Sequence, residues 1–113
     1  MHEMAIVQDI IDTVTEACLG KRVRRVVLEI GALSSVVPDA IAACFEIATS
    51  AELEASPLTG ARLEIIEIPG RGKCRACGAE VVMIDPLGEC GCGGLELDWM
   101  AGTQLTIREL EVV

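Results

Sequence analysis

Cys74-Arg75-Ala76-Cys77, then twelve residues, then Cys90-Gly91-Cys92: this stretch holds four of the chain's six cysteines within nineteen residues. Two cysteines separated by two residues can grip one tetrahedral metal ion from a single tight turn, and a second close pair completes the shell. Gly78 and Gly93 each directly follow a pair, where the backbone has to turn tightly. Pro69, Gly70 and Gly72 lead in, and Gly88, Gly91, Gly93 and Gly94 crowd the far end. So little apolar material lies between them that a bound metal must supply the segment's folding free energy. Two other chemistries compete. Disulfides belong to oxidising compartments, and nothing in the chain argues for export. A thioredoxin-like redox pair at Cys74 and Cys77 needs a strand before and a helix after, whereas Gly78 and the run Val81-Val82-Met83-Ile84-Asp85-Pro86 read as a small hairpin. Four thiolates with no open position favour structural zinc; iron also takes four sulfurs, and the residue types leave that choice open. The second pair, Cys90-Gly91-Cys92, is one residue tighter than the usual gap and predicts a less regular knuckle.

The rest of the chain bounds the setting. Its 113 residues suffice for one domain plus a small metal module. Apolar residues make up 51%, with Phe45 and Trp99 the only aromatics, so the core has to be built from Ile, Val, Leu and Ala. Eighteen acidic against nine basic residues give a net charge of −9, which argues against nucleic acid as a partner. No run of about eighteen uncharged apolar residues is present to span a membrane. Glu3, Gln8, Asp9 and Asp12 interrupt any secretory signature at the start, so the expectation is a cytoplasmic protein.

Met4, Val7, Ile11, Val14 and Cys18 recur at helical spacing, widened by Ile10 and Ala17, and predict a helix over Glu3–Leu19. Dense β-branched residues predict a strand over Arg22–Ile30. Pro38 opens a second helix, traced by Ile41, Cys44, Phe45, Ala48 and Ala51 or Glu52 to about Leu53. Cys18 and Cys44 both fall on apolar stripes and read as core. Arg62–Ile68 and Thr103–Val113 are the remaining strands. Each slips phase, at Ile65–Ile66 and at Arg108–Glu109, which predicts bulges or, in the first, burial on both faces. The fold class expected is α/β: a small three-stranded sheet with two helices on one face, plus an inserted four-cysteine zinc module. In this reading residues 1–69 and 99–113 form the α/β domain and 70–98 the module, swivelling on Gly70, Gly72 and Gly102.

Met1-His2-Glu3 is the second constellation, and His2 is the only histidine. Beside an initiator, a histidine is often an accident of a loose terminus. The alternative chemistry is specific: a free α-amine, an amide nitrogen and an imidazole can close adjacent chelate rings on one ion. Nitrogens in a plane suit Ni(II) or Cu(II), and the amine, with a reference pKa of about 7.7–8.0, sheds its proton near neutrality. Removal of an initiator methionine generally requires a small second residue, so the bulky His2 leaves that amine on Met1. With His2 alone there is no Ser/His/Asp arrangement, and no phosphate-cradling glycine loop precedes a helix, so no enzyme is expected.

Met1-His2-Glu3-Met4 opening a helix, Ile30-Gly31-Ala32-Leu33-Ser34 after a strand, Gly60-Ala61-Arg62-Leu63-Glu64-Ile65, the cysteine pairs and the closing Leu110-Glu111-Val112 together resemble the HypA/HybF family. These are nickel metallochaperones for maturation of [NiFe] hydrogenase, and the resemblance runs the length of the chain. It implies reversible Ni(II) binding through the His2 imidazole, the Met1 terminal amine and the Glu3 backbone nitrogen, which makes the α/β domain nickel-binding. It implies Zn(II) at Cys74, Cys77, Cys90 and Cys92. It further implies a nickel-handling GTPase of the HypB kind and the hydrogenase large-subunit precursor as partners, with a homodimer as a candidate assembly. Some members have a second histidine in the zinc module; here Asp39 is the candidate substitute. The competing reading is a zinc-stabilised protein-interaction module with no specific nickel role.

Overall fold

The computed structural model describes residues 3–50 and 56–113. Along the chain run α1 (Glu3–Ala17), β1 (Val23–Gly31), α2 (Pro38–Ala48), β2 (Arg62–Ile68), β3 (Gly70–Cys74), β4 (Glu80–Met83), β5 (Leu97–Ala101) and β6 (Leu105–Val112). They make two three-stranded sheets, ordered β2-β1-β6 and β4-β3-β5. The chain divides into two compact units, residues 1–28, 37–66 and 107–113 in one, residues 29–36 and 67–106 in the other.

In the first unit, α1 packs on α2. Val7, Ile10 and Val14 are its buried residues, followed by Cys18 just past its end, while Met4 is exposed. The buried stripe is thus rotated from the one the spacing suggests, with Ile10 rather than Ile11 at its centre. The helix stops at Ala17, two residues short of the expectation, because Leu19 has a left-handed φ of 52° that no helix continues. α2 has Pro38 at its first position as expected, and Ile41 and Phe45 point inward; burying a side chain of the size of Phe45 is worth about 1.5–3 kcal/mol. Cys18 is core; Cys44 is only half-buried.

α2 ends at Ala48, well before Leu53. The Thr49 hydroxyl and N–H both donate to the Phe45 carbonyl, and the Thr49 carbonyl accepts from Gly60. Residues 51–53 of that expected helix lie outside the described residues.

In β1, Val26, Leu28 and Ile30 are buried on the predicted face, and Val27 is buried as well. β6 runs antiparallel to it: the Val113 N–H donates to Arg22 at one end, the Gly31 N–H to Gln104 at the other. β2 runs the same way as β1, with Val23 bonded to Pro57 and Ala32 to Ile68, as a strand–helix–strand crossover requires. Four successive half-buried residues in β2, from Leu63 to Ile66, fit burial on both faces. In β6 the exposed pair Arg108–Glu109 marks the change of phase. Arg25 of β1 ties the sheet together: its guanidinium donates to Glu64 of β2 at 2.7 Å and to Glu109 and Glu111 of β6 at 2.7 and 3.2 Å.

The second unit contains a whole sheet where the sequence suggests only a hairpin. β3 pairs antiparallel with β4 and with β5, shifting register between Arg71 and Gly72. Its core is small: Ile30, Leu33, Met83, Cys74 and Cys90. Met83 fills the space over Gly72 and Gly88, where added Cβ atoms would come within 2.7 and 3.1 Å of its side chain. Gly70, Gly72 and Gly102, read above as swivel points, are places with no room for a side chain. A Cβ on Gly102 would sit 2.5 Å from the Gly70 Cα, one on Gly70 would sit 2.6 Å from the Leu33 side chain, and one on Gly31 would overlap the Gly102 carbonyl.

Candidate metal centre

β3 delivers Cys74 at its last position, and the chain then turns at once. Gly78 N–H donates to the Cys74 carbonyl at 2.8 Å and Cys74 N–H to Ala79 at 2.9 Å, which closes the first knuckle and sends the chain back as β4. A strand before Cys74 but no helix after Cys77 is the wrong surrounding for a thioredoxin-type pair. Arg75 fastens this knuckle to the chain entering β5: its N–H donates to the Glu96 carbonyl and its guanidinium to Asp98 at 2.8 Å.

The tighter pair has its own small hairpin. Cys90 N–H donates to Gly94 at 3.0 Å and Gly93 N–H to Cys90 at 2.9 Å. Gly93 takes φ 91°, which a residue with a Cβ rarely adopts, so the glycine after the pair is what lets a one-residue gap close. Gly94 N–H then points at the Cys92 sulfur, 3.4 Å away.

The two turns bring four sulfurs together. Cys74 and Cys92 lie 3.7 Å apart, Cys77 and Cys90 3.5 Å, and all four Sγ fall within 4.8 Å of one another. A tetrahedral ion with bonds of about 2.3 Å to sulfur requires sulfur–sulfur edges near ~3.8 Å, so the set is already at ligand spacing. A disulfide needs about 2.05 Å, and all six cysteines are free thiols. The donor set therefore fits a tetrahedral soft-ligand ion, and among the described residues no further His, Cys, Asp or Glu joins the cluster. Among the described residues this is the one cluster of three or more His, Cys, Asp or Glu side chains placed to hold a metal.

The sulfurs are not equivalent. Backbone N–H groups of Cys77 and then Ala76 favour the Cys74 thiolate and bring its pKa down to about 7. The Gly94 N–H favours the Cys92 thiolate too, but the neighbouring sulfurs of Cys90, Cys77 and Cys74 outweigh it and push that thiol up to about 12. Four thiolates cannot gather without a cation between them, so metal uptake must displace protons.

Sequence spacing found all four of these residues. It missed the roles of Arg75 and Gly94. A Cβ on Gly94 would lie 2.8 Å from the Cys74 sulfur and 3.4 Å from that of Cys92. The Gly93-Gly94 doublet was the available sign.

Met1 and His2 lie outside the described residues, so the structure gives no geometry for the expected nitrogen site. Glu3 is the first residue of α1 and is half-buried; Asp39 sits exposed in the first turn of α2. No helix among the described residues is long and apolar enough to cross a membrane.

Residues 1–112 match the protein family described as "Hydrogenase/urease nickel incorporation, metallochaperone, hypA". The hydrogenase maturation factor HypA of Nostoc punctiforme is 49% identical over 112 residues, covering 99% of this chain and 96% of its own. That of Geobacter metallireducens is 45% identical over 115 residues, covering 99% of each. Among solved structures, the solution structure of the Ni metallochaperone HypA from Helicobacter pylori superposes with a TM-score of 0.67 at 22% identity, covering 100% of this chain and 98% of that one; at that identity the likeness speaks for the fold.

Proposed function

Given that the chain belongs to the HypA family of nickel-incorporation metallochaperones, we propose that it binds Ni(II) at its N-terminus and delivers it for maturation of [NiFe] hydrogenase. The observation that carries the proposal is the family match from residue 1 to residue 112, which takes in the Met1-His2-Glu3 opening together with the cysteine quartet. Ni(II) is cargo. The Met1 amine, the Glu3 backbone nitrogen and the His2 imidazole hold it, and nitrogen donors in a plane bind Ni(II) while leaving it exchangeable. Any residue added before Met1 turns the amine into an amide and removes one donor.

Cys74, Cys77, Cys90 and Cys92 hold Zn(II) permanently. Zinc bound there supplies folding free energy to the 70–98 module and no catalysis. The protein is a carrier, not an enzyme, and works in the cytoplasm. Residues 1–69 and 99–113 form the nickel-binding domain. A HypB-like GTPase and the hydrogenase large-subunit precursor are the partners in hand-over, and a homodimer is the assembly to test.

Calorimetric Ni(II) titration of protein starting at Met1, compared with His2→Ala and with a version carrying one extra N-terminal residue, tests the site. Specific binding is expected in the first and at least about tenfold weaker binding in the other two, since each loses one of three nitrogen donors. Equal affinity in all three would leave only a zinc-stabilised interaction module.

A further inference from the structure

Four of the nine basic residues of this acidic chain fall in the short run Lys21–Arg25. Arg25 is spent on Glu64, Glu109 and Glu111. Arg24 holds Glu111 at 3.1 Å with its side chain 64% exposed. Close by, where β1 and β2 begin and β6 ends, a shallow depression of about 300 Å³ is lined by Arg22, Arg24, Arg62 and Thr59. Arg22 and Arg62 are exposed and form no ion pair or side-chain hydrogen bond among the described residues. The depression therefore gathers two uncommitted guanidiniums and one half-committed one, on a chain with twice as many acids as bases.

What such a mouth can hold follows from which donors are left. Many sites for small oxyanions are built around free backbone N–H groups. Here those groups are used: Val23 N–H goes to Pro57, Gly60 to Thr49, Ala61 to Leu58 and Val113 to Arg22. The Thr59 hydroxyl accepts from the Ser56 N–H. The charged donors left are the guanidiniums, on long exposed side chains. Each such contact is weak alone, and several become useful together only when one ligand carries several carboxylates. No aromatic side chain lines the depression to stack a base, which disfavours a nucleic acid.

We propose that Arg22, Arg24 and Arg62 form a docking surface for an acidic segment of a partner protein, a run of Asp or Glu side chains laid across the starts of β1 and β2. On an otherwise acidic molecule one basic patch also fixes the orientation of approach, because a partner's acidic run is attracted there and repelled elsewhere. None of the cysteines of the candidate metal centre lines this surface, and the proposal stands or falls without the nickel reading.

The test is titration of the ¹⁵N-labelled full chain, followed by NMR, with three probes at equal ionic strength: a capped hexaglutamate peptide, a hexathymidylate oligonucleotide and inorganic phosphate. The peptide is expected to shift the amides of Val23, Thr59, Gly60 and Val113. The Arg22→Gln/Arg62→Gln double variant, at two exposed positions, is expected to bind it about tenfold more weakly. Arg71→Gln, in β3, is expected to change nothing. Absence of shifts, equal binding by the double variant, or the same shifts from phosphate or the oligonucleotide would each overturn the proposal.

Discussion

Gly94 shows how much of the metal centre depends on an atom that is missing. Its Cα faces two ligand sulfurs, and a methyl group there would stand 2.8 Å from the Cys74 Sγ, inside van der Waals contact. Gly94→Ala is expected to push the two knuckles apart and weaken zinc binding by about 10- to 100-fold, the range seen when outer supports of metal sites are lost. Competition with a chromogenic chelator measures it. The same assay across pH reads the unequal sulfurs. With the Cys92 thiol up at about 12, zinc must displace its proton at any neutral pH. Each displaced proton makes affinity rise about tenfold per pH unit. Below about 7 the Cys74 thiol is protonated as well, so the loss of affinity should steepen there as pH falls. A flat profile between pH 6 and 8 would contradict this assignment. The gathering of the four cysteines was legible in the sequence, because two close cysteine pairs a short loop apart favour one shared site. Gly94 was not, since a glycine's contacts depend on which chain segments pass by it.

At the scale of elements, Arg25 is the cross-brace of the first sheet, reaching both neighbouring strands with its side chain only 27% exposed. Arg25→Gln keeps some hydrogen bonding but removes the charge that three glutamates face. A drop in Tm of about 5 °C is expected by calorimetry, with much of the difference gone at high salt, where such pairs are screened. Equal loss at low and high salt would mean that packing rather than charge is responsible. α1 could be read from hydrophobic period because it buries one side of a regular repeat, and β1 and β2 from their density of β-branched and apolar residues, although both bury side chains on two faces. β3 could not: Gly70-Arg71-Gly72-Lys73-Cys74 buries glycines and a metal ligand, so no apolar alternation announces it. α2 was read too long for a different reason. Its apolar pattern runs on past Ala48, but the Thr49 hydroxyl takes the Phe45 carbonyl and the chain leaves the helix.

Across the whole molecule, the two compact units rest on different forces. The first buries Val, Leu, Ile and Phe side chains from two helices and a sheet; the second buries Ile30, Leu33, Met83 and two ligand cysteines, a core too small to hold three strands unaided. Stripping the metal with a chelator should therefore abolish hydrogen-exchange protection in β3, β4 and β5 while leaving the helical circular dichroism of α1 and α2 within about 10% of its starting value. Simultaneous loss of both would show that the helices also depend on the ion. Within the second unit, Gly31, Gly70 and Gly102 meet where main chain presses on main chain, and Leu33 supplies the one side chain among the nearest atoms. A joint of that kind is indifferent to vocabulary. A library that randomised the exposed positions between Arg75 and Met100, sparing the cysteines and tight glycines, should return mostly folded clones, whereas a single methyl at Gly102 should remove almost all of them.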